Sequence, residues 1–134
     1  MQITNFNDLI QAARYEVLPQ RLLFVFVAVE LPPDSTEQQR ADFDAGQGGT
    51  LTPIMCVDKR PQEVESFATL SNEAKQFGKP WGMVFAASIS GMPGEQPSEA
   101  NIDKAFEVMV EDIKLGRLDK YILFDRDGQP VQIG

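Results

Sequence analysis

Apolar positions recur in two rhythms along this chain, and the breaks between them divide it into elements. In "TNFNDLIQAARYEV", Phe6, Leu9, Ile10, Ala13 and Val17 fall on one helical face behind Thr4 or Asn5, either of which can cap a helix. Pro19 ends that helix. From Arg21 to Leu31, "RLLFVFVAVEL" is continuously apolar, β-branched and aromatic, the pattern of a strand covered on both faces. "PPDSTEQQRADFDAGQGGT" offers Asp34 or Ser35 as the cap of a short helix through Ala45, with Phe43 as its sole large apolar anchor, so the segment 34–50 is expected to be the least stable. "LTPIMCVDK" follows as a second strand ending near Asp58, with Pro53 near its start, where a missing amide donor is tolerated.

Pro61 suits the first turn of a helix that carries Val64, Phe67, Ala68, Ala74 and Phe77 on its apolar face and stops at Gly78. "GMVFAASIS" predicts a third strand over 82–90, and "GMPGEQP" a loop over 91–97. Ser98 caps a long helix with Ile102, Phe106, Met109, Val110 and Ile113 facing inward before Gly116. Two strand-like runs then flank Asp125-Arg126-Asp127-Gly128, a hairpin signal. Helices alternating with buried strands predict a single α/β domain over 1–134: three layers, with helices on both faces of a largely parallel sheet that closes on a C-terminal antiparallel β-hairpin.

Composition narrows the chemistry. A chain of 134 residues, 43% hydrophobic and 24% charged, can bury one ordinary core. It has no apolar run of membrane-spanning length and no basic, apolar leader, so a cytoplasmic protein is expected. Twenty acidic against twelve basic residues give a net charge of −8, which disfavours nucleic acid and anionic membranes as partners. Asp103, Glu107 and Glu111 at helical spacing, with Lys104 and Lys114 nearby, read as a solvated helix face.

Histidine is absent, which excludes imidazole bases and histidine metal ligands. A single cysteine excludes an internal disulfide, a redox pair and a cysteine-rich zinc site. No cofactor and no metal are expected. Gly46, Gly48 and Gly49 run from a helix into a strand, the reverse of a phosphate loop, and read as a cap and a turn. Cys56, in an apolar strand with no imidazole near it, is expected to be a buried, inert core residue, and Trp81, Met83 and Met109 take the same structural role. Asp125-Arg126-Asp127-Gly128 places its glycine two positions too early for a calcium loop, and no glutamate follows at the required distance.

Three segments, "RLLFVFVAVELP", "AGQGGTLTPIMCVDK" and "FDRDGQPVQIG", resemble a set of small proteobacterial proteins of no established activity, across essentially the whole chain. Some of these carry the label "ribonucleotide reductase subunit alpha". That chemistry requires a radical cysteine and a separate redox pair, which one cysteine cannot supply, so the resemblance implies a family without an assigned function and transfers no reductase residue.

Two function classes remain. The first is a small interaction or regulatory domain without catalytic activity, acting through a protein partner or a homo-oligomer. The second is a small-molecule binder or weak enzyme using carboxylates and serines. If the strands are parallel, their carboxyl ends bring Glu30, Asp58, Lys59, Ser88, Ser90 and Asp125 to one edge as a candidate ligand site.

Overall fold

A computed structural model describes residues 5–30, 36–44, 50–78 and 80–131. Four strands, β1 (Gln20–Glu30), β2 (Thr50–Lys59), β3 (Met83–Ser90) and β4 (Ile122–Phe124), form one sheet in the order β2-β1-β3-β4. Every neighbouring pair is antiparallel. This overturns the largely parallel, three-layer arrangement expected from the alternation of helices and strands. The physical reason lies in β1. It pairs antiparallel with both β2 and β3, so those two strands run in the same direction but never touch, and no adjacent pair is parallel. The chain end turns back at Asp125–Gly128, as the expected hairpin requires, with the antiparallel bridge Phe124↔Pro130 and the Val131 N–H donating to Leu123 C=O at 2.8 Å; 132–134 lie outside the described residues.

β1 alternates its side chains between two clusters. Leu22, Phe24 and Phe26 pack with helix α1 (Phe6–Tyr15) and helix α3 (Phe67–Lys75), together with Val64, Trp81, Val84 and Phe124. Leu23, Val25 and Val27 pack with Phe85 and with Ile102, Met109 and Ile113 of helix α4 (Glu99–Leu115). Fully buried Phe24, Phe26, Phe85 and Phe124 each contribute about 1.5–3 kcal/mol of transfer free energy, which makes the middle of β1 with its neighbours on β3 and β4 the energetic centre. Among the described residues no helix is long and apolar enough to cross a membrane.

Local chemistry sets the helix ends. Asn5 caps α1 by accepting the Asp8 N–H at 2.8 Å, and the helix ends at Tyr15, which leaves Val17 97% exposed and off the expected apolar face. Helix α2 (Glu37–Asp44) is capped by Thr36, whose hydroxyl accepts from Gln39 N–H at 3.1 Å while the Gln39 side chain accepts from Thr36 N–H at 2.9 Å. The expected caps Asp34 and Ser35 and the expected end at Ala45 lie outside the described residues, as does the Phe43 side chain.

Pro61 opens only a 3-10 turn over Pro61–Glu63, and Ser66 caps α3 through the Thr69 N–H at 3.2 Å. The one long helix expected from Pro61 is therefore broken by 64–66, because the Ser66 cap competes with continuation; Ala68 and Phe77 are exposed rather than inward. Ser98 caps α4 through the Asn101 N–H at 3.1 Å, and Gly116 ends it in the left-handed region at φ 76°.

Candidate functional site

β2 is an edge strand, and this decides where an accessible surface forms. Gly91 N–H donates to Pro19 C=O and Gly82 N–H donates to Val27 C=O, both at 2.8 Å. Odd-numbered residues from Pro19 to Val27 therefore turn their backbone groups to the β3 side, and even-numbered ones to β2. It follows that the pairs Leu23↔Asp58, Val25↔Cys56 and Val27↔Pro53 are the non-hydrogen-bonded ones. The backbone groups of Asp58, Cys56 and Pro53 consequently face away from β1, toward a side on which no described strand lies. Pro53 has no donor to offer, and the register shift between Phe26 and Val27 leaves Ile54 as an extra, bulged residue. Between the bulge and the strand end, the outward donors are Cys56 and Asp58.

Beside this edge, α4 and β2 enclose an open groove of about 820 Å³. Half-buried Phe106 and Val110, exposed Leu115 and Cys56 line it, and Asp103, Glu107, Glu111 and Lys114 form its polar rim. Helical spacing explains the rim: three carboxylates at successive four-residue steps occupy one flank of α4, next to the stripe that packs on the sheet. The expected solvated charged face is present, since Asp103, Glu107 and Glu111 are exposed, and it also walls a cavity.

Cys56 was expected in the core. It is exposed, because an edge strand leaves its outer positions uncovered whatever their hydrophobicity. Partial desolvation against the groove still pushes the thiol above its ordinary range. Trp81 and Met109 are buried as expected, and Met83 is half-buried against the α4 cluster. Gly46, Gly48 and Gly49 lie outside the described residues.

Of the six residues expected at a common strand edge, Asp58, Lys59, Ser88 and Ser90 lie at one end of the sheet and Glu30 and Asp125 at the other. Register sets Glu30 opposite Thr50 at one end of the sheet, where it accepts from the Thr52 hydroxyl at 3.2 Å, whereas Asp58 and Lys59 lie opposite Leu23 and Leu22 at the other end. Asp58 falls on the α4 side and pairs with Arg21 at 3.1 Å, while the Arg21 Nε donates to Gln96 at 3.1 Å. Lys59 falls on the opposite side and pairs with Glu73 of α3 at 2.8 Å. Ser88 and Ser90 share the side of Lys59 and belong to a network around buried Gln20: Ser88 donates to Oε1 at 2.7 Å, and Nε2 donates to Ser90 at 2.8 Å. Only about 110 Å³ of space borders Gln20 and Ser88. Asp125 organises its own turn, accepting the N–H groups of Asp127 and Gln129 at 2.8 and 3.0 Å.

A third polar centre was not anticipated. Asp112 is buried on α4, accepts from the Tyr121 hydroxyl at 2.5 Å, and has Lys120 and Arg117 at 3.7 and 3.9 Å. Burial and the neighbouring carboxylate together push the Tyr121 phenol far above its usual range. Among the described residues no cluster of acidic or cysteine side chains has the arrangement of a metal site. No family model, curated protein or solved structure matches the chain.

Sequence reasoning missed the groove because Phe106 and Val110 were assigned wholly to the core. The signal was the width of the apolar arc: Val110 sits at the flank of the Ile102–Met109–Ile113 stripe, directly beside the carboxylate row.

Proposed function

We propose that this protein is a non-catalytic interaction module, cytoplasmic in location, that acts by binding another protein in the groove between α4 and β2. The observation that carries this reading is the juxtaposition of apolar Phe106, Val110 and Leu115 with the open edge of β2 under an acidic rim. Exposed apolar surface rimmed by polar residues is the usual mark of a protein-interaction site. The polar side chains elsewhere serve structural contacts, as in the Gln20, Asp58 and Asp112 networks. A lone thiol and no possible internal disulfide suit a reducing compartment, and a charge of −8 favours protein over nucleic acid as partner. The small-molecule reading weakens with the antiparallel sheet, since Glu30 and Asp125 lie at the end opposite to Asp58, Lys59, Ser88 and Ser90, and Asp58 lies on the other face from Lys59 and the two serines.

The test compares capture from the native cell by the wild-type protein, by groove variants Leu115→Glu and Glu107→Lys, and by Val17→Glu, which alters an exposed apolar residue outside the groove. A partner that is lost with both groove variants, kept with Val17→Glu, and rebinds as a purified protein supports the proposal. A partner retained by both groove variants refutes it.

A further inference from the structure

Resting on that reading, we infer that the occupant of the groove is a short basic, extended segment of the partner protein, which adds as a strand to β2 opposite Cys56 and Asp58. Backbone geometry sets the mode. The outward N–H and C=O groups of Cys56 and Asp58 are two residues apart, one strand period, and form a short template for an added strand. Pro53 and the Ile54 bulge end that template on the other side, so the segment that fits is only a few residues long.

Side-chain geometry sets the composition. Directly opposed residues in a sheet share a face, and Cys56 and Asp58 oppose Val25 and Leu23, which pack on the α4 side. Partner residues opposite Cys56 and Asp58 therefore send their side chains over the groove. There an apolar side chain meets Phe106 and Val110, and a long cationic one reaches Asp103, Glu107 and Glu111, which outnumber the single Lys114. A second copy of this chain is disfavoured at the same edge. Pairing β2 with β2 places both acidic rims on the same sheet face, on two molecules that each carry a charge of −8.

The experiment uses the full chain, isotope-labelled for NMR, and two dodecapeptide mixtures. One has lysine at alternate positions with Val, Ile, Leu or Phe between; the other has glutamate in place of lysine. Binding of the lysine mixture should slow amide exchange at Cys56 and Asp58 while leaving Val57 and Lys59, which already bond to β1, unchanged. The Glu107→Lys/Glu111→Lys variant should bind it about tenfold more weakly or worse, and the affinity should fall with added salt. Equal binding of the glutamate mixture, binding without protection at Cys56 and Asp58, or no binding of either mixture at millimolar concentration overturns the inference. Protection of the same two amides by self-association, seen as concentration-dependent sedimentation without peptide, overturns it in favour of a second copy. None of these outcomes depends on whether Leu115→Glu loses the native partner, so failure of the basic-strand inference and failure of the interaction reading remain distinguishable.

Discussion

Substituting Gly128 by alanine should be among the most damaging single-methyl additions in this protein. Two effects coincide there. Gly128 has φ 80°, a left-handed conformation that costs a residue with a Cβ about 1–2 kcal/mol. A Cβ at that position would also lie 2.8 Å from Cγ of Phe67, inside van der Waals contact. Phe67 cannot yield freely, because it packs edge-on against Phe6 at a centroid distance of 5.0 Å and against Trp81 at 6.2 Å. Overpacking of this kind costs about 1–3 kcal/mol, so the total is about 2–5 kcal/mol. At roughly 4 °C per kcal/mol for a domain of this size, Tm should fall by roughly 8–20 °C. Gly116→Ala is the matched control, since it has φ 76° but nothing within 4 Å of the added methyl, and it should lose roughly 4–8 °C. Thermal unfolding followed by circular dichroism measures both. Placing Gly128→Ala in a Phe67→Ala background should bring its cost down to that of Gly116→Ala. If Gly128→Ala and Gly116→Ala lose the same Tm in the wild-type background, contact with Phe67 contributes nothing and the reasoning fails.

Cys56 should react with iodoacetamide in the native protein, with the rate still rising above pH 9 because burial against the groove raises the thiol; absence of labelling without denaturant would contradict its exposure. The Arg60 backbone N–H and guanidinium hold Glu63 below the usual carboxylate range, so its contribution is present above about pH 4.3 and is lost as pH falls through the lowered value. Glu63→Gln should therefore show a smaller Tm difference between pH 7 and pH 3 than wild type. Tyr121→Phe removes the hydroxyl that satisfies buried Asp112 and should cost about 1.5–3 kcal/mol in urea unfolding, with little change in the denaturant slope.

Element positions were legible where local chemistry acts alone. The apolar run of β1, the Ser98 and Gly116 ends of α4 and the turn at Gly128 each follow from a few neighbouring residues. Strand direction was not legible, because a strand buried on both faces reads the same in parallel and antiparallel sheets, and helix-containing connections link strands of either relative direction. Insertion of β1 between β2 and β3 is a long-range pairing with no signature in a single strand. The same gap hid the candidate site. Cys56 differs from Val25 opposite it only in lacking a neighbour on its other side, and hydrophobicity does not report which strand is outermost. The carboxylate row of α4 was visible from its spacing, but its role as the wall of a groove required knowing that β2 lay beside it.

Pro53 and the Ile54 bulge bear on how the protein avoids aggregation. An open edge of ten residues is long enough to template a growing stack of strands, chain upon chain. Here the donor row is interrupted by an imide nitrogen, and the bulge adds local twist that a flat stack cannot follow. A strand that pairs with this edge finds only a few residues of regular ladder, which weakens each addition to such a stack. The proline and the bulge thereby guard an edge that no described strand covers.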